Sequence, residues 1–275
     1  MLAARERHHP VPINRSGLGT EEGLKALTRG ELIESWRTHA RPGASIFAAA
    51  GAIDVPGLLE TLERRFAGWQ GTTPVPHLGP VPRRGYGHTP DPSSQVQIVL
   101  VHDAPPEPAP ESLLEKIVVS VLSGGMSGRL FTEVREKRGL CYSVSAGYRG
   151  DRDFGSVTAY VGTTPERADE SLKVLVAELE RIQTPEGRIT PEEFGRAMIG
   201  MKSGLIFSGE STAARAGGLA ADQRKLGRPR SLEEIATELD RVTLDDINSY
   251  LSKRNFAHYT VQTLGPRELT PPPGL

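Results

Sequence analysis

SGGMSGRLFTEVREKRGLCY, residues 123–142, sets the reading of the whole chain. Gly124, Gly125 and Gly128 fall within five positions and predict a tight turn. Leu130, Phe131 and Val134 then recur at helical spacing against Glu133, Arg135, Glu136 and Lys137, which predicts a short amphipathic helix. Gly139 is its stop, and the next residues enter a strand, so Arg135 and Tyr142 lie on either side of one corner that holds a cation and a phenol together. A plainer reading stays open: the glycines only turn the backbone, Arg135 is a solvated helix charge and Tyr142 an ordinary strand aromatic. A phosphate loop is excluded, because the glycines run into Arg129-Leu130 where such a loop needs Gly-Lys-Ser/Thr.

The totals narrow the classes. A chain of 275 residues, 37% hydrophobic and 24% charged, matches one large globular domain or two ordinary ones. Lys and Arg number 33 against 34 Asp and Glu, for a net charge of -1, so no basic footprint for nucleic acid or an anionic membrane stands out. One cysteine, Cys141, rules out an intrachain disulfide framework and a multi-thiolate zinc site. As a nucleophile it needs an activating histidine that the sequence does not display; between Leu140 and Tyr142 it reads as a small buried residue. No apolar run approaches the roughly 20 residues of a spanning helix, and MLAARERHHP at the start has no apolar segment behind its charges. The expectation is a cytoplasmic chain with no membrane partner.

Upstream of the corner, an apolar helix is expected over 111–122 and a strand over 95–102. Residues 71–92, with Pro74, Pro76, Pro80, Pro82, Pro90 and Pro92, read as an extended linker. Before it, Leu58, Leu59, Leu62 and Phe66 share one face of a helix over 55–69, and residues 46–50 read as a short apolar strand. Thr28-x-x-Glu31 is a capping box opening a helix through Leu32, Ile33 and Trp36. A short helix over 23–27 and a polar, proline-containing start precede it. Downstream, strands over 142–148 and 155–162 form a hairpin, followed by helices over 165–182, 191–207, 211–226, 231–239 and 243–251, a strand over 256–264 and a loose tail over 267–275.

The end of the chain repeats its beginning. Thr243-x-x-Asp246 caps a helix whose strand closes at Gly265, as Thr28-x-x-Glu31 caps one whose strand closes at Gly51. Laid over each other, they divide the chain into the closing part of a first unit, residues 1–70, the linker 71–92, and one complete copy, residues 93–266. On the order of 120 residues would then be missing from the first copy, whose partial sheet cannot bury its own face.

Together, Gly124-Gly125-Met126-Ser127-Gly128-Arg129-Leu130-Phe131 and the run from Glu133 to Val144 resemble the second domain of the pitrilysin (insulinase) metallopeptidases, which include mitochondrial processing peptidase. His9-Pro10, Gly19-Thr20-Glu21-Glu22, Leu27-Thr28, the strand into Gly51 and the helix ending Phe66-Ala67-Gly68-Trp69 resemble the closing part of that family's first domain. The resemblance implies an α+β fold: homologous domains in tandem, each a mostly antiparallel sheet with helices packed on one face, two halves closing around an extended peptide. It also implies that Arg135 and Tyr142 hydrogen-bond the scissile carbonyl and its developing oxyanion, while Gly124, Gly125, Met126, Ser127 and Gly128 bind the substrate backbone.

The same resemblance implies zinc on an inverted His-x-x-Glu-His helix with a later glutamate. None of the seven histidines, His8, His9, His39, His77, His88, His102 and His258, has that spacing, and residues 111–122 contain no histidine. The expected function is therefore the substrate-clamping portion of a zinc endopeptidase, inactive alone, with zinc and general base coming from a missing segment, a zinc-bearing homologous chain or a homo-oligomer. The alternatives are a non-catalytic structural or peptide-binding homologue, or an ordinary enzyme whose front a frameshift or misassigned start has removed.

Overall fold

The computed structural model describes residues 1–273 and 275. Five strands make one sheet: β1 (Gly85–Pro90), β2 (Val96–Ala104), β3 (Cys141–Gly150), β4 (Gly155–Thr163) and β5 (Thr260–Gly265), in the order β1-β5-β2-β4-β3. All neighbours are antiparallel except β1 with β5. Around it run α1 (Leu2–His8), α2 (Glu21–Ala26), α3 (Arg29–His39), α4 (Val55–Phe66), α5 (Glu111–Ser123), α6 (Ala168–Arg181), α7 (Pro191–Glu210), α8 (Thr212–Leu226), α9 (Leu232–Arg241) and α10 (Leu244–Lys253).

Alternation along the strands decides the core. Ile98 and Leu100 of β2, Ala159 and Val161 of β4, and Val261 of β5 point to one face and are buried against Ile117, Val118, Leu122, Leu172, Leu175 and Leu179 of α5 and α6. Ile247 and Leu251 of α10 close the same core. The α+β class with a mostly antiparallel sheet and helices on one face is thus what the chain adopts. On the opposite face Ala4 of α1 packs on Val99 and Val101, and Ile13, Ser16 and Gly17 of the segment after α1 border the same strands.

Several expected elements change. Residues 85–90, read as linker, are the edge strand β1: Gly85, Gly87 and Pro90 interrupt the apolar alternation, but an edge strand tolerates them because only one side of its ladder is paired. Residues 46–50 join no sheet, since the strands that pair with their counterpart β5 have no equivalent here and a lone strand leaves its backbone groups unpaired. The polar start holds α1, whose short apolar signal is only Ala4 with His8 one turn on. The helix expected over 165–182 starts at Ala168 because Arg167 N–H closes a turn on Thr164. The last strand begins at Thr260, after Phe256 has stacked on Tyr259. The tail expected to be loose is held: Leu269 is buried, its N–H donates to Tyr86 Oη at 2.9 Å, and Thr270 N–H donates to Asp169 at 2.8 Å.

Both capping boxes of the proposed repeat form, at Thr28 with Glu31 and at Thr243 with Asp246. Their settings differ. α10 buries Ile247 and Leu251, whereas α2, α3 and α4 bury no residue. Leu32, Trp36, Phe47, Leu59 and Phe66 are exposed, with Trp36 at 74%.

Beneath the helical layer, Arg254 and Glu115 form a buried ion pair at 2.5 Å, and Tyr250 Oη donates to the other carboxylate oxygen. Fully buried His102 donates from Nδ1 to the Asp103 carbonyl at 2.8 Å, which leaves Nε2 to accept from Arg254 Nη2 at 3.0 Å. Burial, then the Arg254 charge, lower its pKa from 6.5 to about 3, so the folded chain holds it neutral. Unfolding exposes the ring, which takes up a proton below its ordinary pKa of 6.5; between pH 6.5 and about 3 the unfolded chain binds more protons and stability falls as pH falls. Melting temperatures read from pH 7 to 4 should drop more steeply for the wild-type chain than for His102→Gln. Parallel pH profiles would show that His102 does not titrate on unfolding.

Candidate functional site

The corner is built as the glycines require. A Cβ on Gly124 would lie 2.3 Å from the Ser120 carbonyl oxygen, and one on Gly128 would lie 2.9 Å from that of Leu122. Gly125 has φ +89, a left-handed conformation that L side chains rarely adopt. The turn therefore needs glycine for its own backbone. The chain then forms a π-helical turn, Phe131–Glu136, whose register is carried by Lys137 N–H donating to the Thr132 carbonyl at 2.9 Å. Gly139, at φ +59, ends it, and Leu140 N–H returns to the Val134 carbonyl at 3.0 Å.

Leu130 and Val134 are fully buried, which turns the opposite side of this short helix to solvent. There the Arg135 guanidinium lies 4.9 Å from the Phe131 ring centroid and 5.5 Å from that of Tyr142. A β-bulge between Cys141 and Ser143 takes Tyr142 out of the ladder alternation, and its side chain is 82% exposed. Among the described residues, the Tyr142 hydroxyl has no hydrogen-bond partner and Arg135 no carboxylate partner. The arrangement presents a phenol and a guanidinium, both donors, on an edge strand.

The other expected site residues lie apart from this pair. Gly124, Ser127 and Gly128 line a recess of about 370 Å³ between α5 and α7, together with Glu193 and Arg196; Arg135 and Tyr142 do not reach it. Met126, beside it, is 76% exposed. Cys141 is half-buried; burial pushes its thiol up against a smaller opposing pull from Arg135, which disfavours the thiolate a nucleophile requires.

The structure adds a residue that sequence reasoning passed over. Arg129 is 7% exposed and makes a two-pronged ion pair with Glu193, Nε to Oε1 at 2.6 Å and Nη2 to Oε2 at 2.7 Å. It also donates to the carbonyls of Gly187 and Arg188 at 2.6 and 2.8 Å. Glu193 simultaneously closes the capping box of α7 with Thr190. Burial, the largest single influence, would raise the Glu193 pKa; the hydrogen bonds from Arg129 and from the Thr190 backbone, with the charges of Arg129 and Arg196, together outweigh it and hold the carboxyl below its ordinary range. The signal available in the sequence was the capping box itself, which placed Glu193 but not its partner 64 residues away.

No three His, Cys, Asp or Glu side chains gather to hold a metal among the described residues. Four of the seven histidines are committed elsewhere: His8 to Thr260 and Asp103, His39 to Ser35, His88 to Thr263, and His102 to Asp103 and Arg254. The residues present do not fit a zinc centre. No helix among them is long and apolar enough to cross a membrane.

Comparison with known proteins accounts for this set of features. The family profile of the peptidase M16 inactive domain matches residues 26–201. The chain belongs to the peptidase M16 family. The M16 profile runs from the last residue of α2 to the middle of α7 and includes the whole corner. A zinc protease of Mycobacterium tuberculosis is 28% identical over 276 residues, covering 96% of this chain and 61% of the relative. The chain thus spans about three fifths of the length of that M16 relative. Its fold is also that of the peptidase M16 inactive domain from Pseudomonas fluorescens, with a TM-score of 0.82 and 21% identity over 98% of this chain and 66% of that one. A chain in complex III2 of Candida albicans has the same fold, with a TM-score of 0.80 and 16% identity over 95% of this chain and 64% of that one. The resemblance to pitrilysin peptidases read from residues 123–144 is borne out at the level of family and fold.

The Arg129–Glu193 pair predicts a measurable anchor. Arg129→Ala leaves a mostly buried carboxylate unpaired and should lower unfolding stability by about 3 kcal/mol in urea titrations. A loss under about 1 kcal/mol would place the pair among ordinary surface bridges.

Proposed function

We propose that this M16 chain is the substrate-clamping portion of a zinc endopeptidase, in which Arg135 and Tyr142 hydrogen-bond the scissile carbonyl of an extended peptide. Zinc and the general base come from a segment outside residues 1–275 or from a zinc-bearing homologous chain, since no residue set here fits the metal. The observation that carries the reading is the exposed guanidinium–phenol pair with its donors unspent. A carbonyl oxygen gaining negative charge accepts hydrogen bonds from both, and such donors act more strongly on the transition state than on the ground state. In the same reading Gly124 to Gly128 give the peptide backbone a side-chain-free approach, with Met126 and Ser127 at its margin. Residues 1–70 act as the closing part of a first domain, residues 71–92 as its connection and residues 93–266 as the second domain.

A second reading has one observation of its own. The glycines are required by the turn, and Arg135 lies over both Phe131 and Tyr142, so the pair also serves as packing in a non-catalytic structural or peptide-binding homologue. The two readings part on a single substitution. With an M16 chain carrying His-x-x-Glu-His added to support cleavage of a quenched fluorescent peptide, Tyr142→Phe should lower kcat/KM about 100-fold. Its melting temperature should stay unchanged, because the hydroxyl has no hydrogen-bond partner among the described residues. Unaltered cleavage with the variant would leave the packing role alone.

A further inference from the structure

The sheet face opposite the core carries a second recess, of about 310 Å³, between α1 and the strands β2, β3 and β4. Val99 and Val101 form its apolar floor and Phe154 one wall. Two guanidiniums border it. Arg149, at the exposed end of β3, makes no ion pair or side-chain hydrogen bond among the described residues. Arg5 uses Nε on the Ile13 carbonyl at 2.6 Å and likewise has no carboxylate partner among them.

Ser156 lines the recess at 3% exposure, and its hydroxyl enters none of the side-chain hydrogen bonds found among the described residues. It stands directly across from Arg149 in the β3–β4 register, so hydroxyl and guanidinium share one face. No acidic side chain lines the recess. The nearest carboxylate by register, Asp103, is already bracketed by Arg84, at 2.5 and 2.9 Å, and by His8 at 3.3 Å.

A hydroxyl without a protein partner and unpaired guanidiniums over an apolar floor suit an anion carried on an apolar body. The volume admits something close to one amino-acid residue. We propose that this recess binds the carboxylate of an apolar group, the free C-terminal residue of a peptide, with the carboxylate at Arg149 and Ser156 and the side chain on Val99 and Val101. The site is separate from Arg135 and Tyr142 and does not rest on their role. A short aliphatic acid offers the same chemistry without the amide.

Titration calorimetry with N-acetyl-leucine, its C-terminal amide and hexanoate separates these sources. N-acetyl-leucine should bind, and the amide should bind at least about ten-fold more weakly, as loss of a charge-assisted contact implies. Arg149→Gln should weaken N-acetyl-leucine about ten-fold and Ser156→Ala a few-fold, while Tyr142→Phe leaves it unchanged. Arg149 is exposed, so its variant folds even if Ser156→Ala does not. Equal binding of acid and amide, no response to Arg149→Gln, or no heat with N-acetyl-leucine up to about 10 mM overturns the proposal. Hexanoate binding more tightly than N-acetyl-leucine would overturn the peptide assignment in favour of an aliphatic acid.

Discussion

The guanidinium of Arg129 and the carboxylate of Glu193 join the glycine turn to the first turn of α7, and the placement of the corner follows from that contact. Two parallel N–H···O bonds fix both distance and orientation, which a single point charge does not. Because the same guanidinium also holds the carbonyls of Gly187 and Arg188, the loop before α7 is drawn against the end of α5. Leu130 and Val134 can then enter the core, and the short helix can only present Arg135 outward.

The sheet contributes an asymmetry. Its helical face is sealed by α5, α6 and α10, and the Arg254–Glu115–His102 network lies within that layer. Its other face carries α1, the segment after it, and the alternate strand residues, among them Val99, Val101 and Tyr160. Tyr142 and Arg149 stand on β3, at the edge of this sheet. Trp36, Phe47 and Phe66 of the first seventy residues are exposed apolar side chains.

Local signals carried much of this into the sequence. The capping boxes at Thr28 and Thr243 marked helix starts because side chain and backbone lie three residues apart. The hairpin of β3 and β4 was legible from two alternating runs with a polar turn between them. Gly139 was legible as a stop because a left-handed residue at a helix end favours glycine. What escaped were elements whose stability is borrowed. β1 exists because β5 offers it a ladder, α1 because the sheet face offers Ala4 and His8 a surface, and Leu269 is buried because the core extends to it. The failure at residues 46–50 is the converse, an apolar run with strand character and no ladder to join.

The resemblance to the pitrilysin peptidases implied the α+β class; by itself the sequence determined the antiparallel pairing of β3 with β4, the corner between Arg135 and Tyr142, and the want of a His-x-x-Glu-His helix. Each depends on residues near one another in the chain, where spacing alone states the geometry. Only the tertiary structure decided that Arg129 meets Glu193, that the glycine recess and the guanidinium–phenol pair are separate places, and that Arg149 and Ser156 share a face above an apolar floor. Those contacts join residues that folding, rather than sequence distance, brings within hydrogen-bonding range, and no local rule of spacing encodes them.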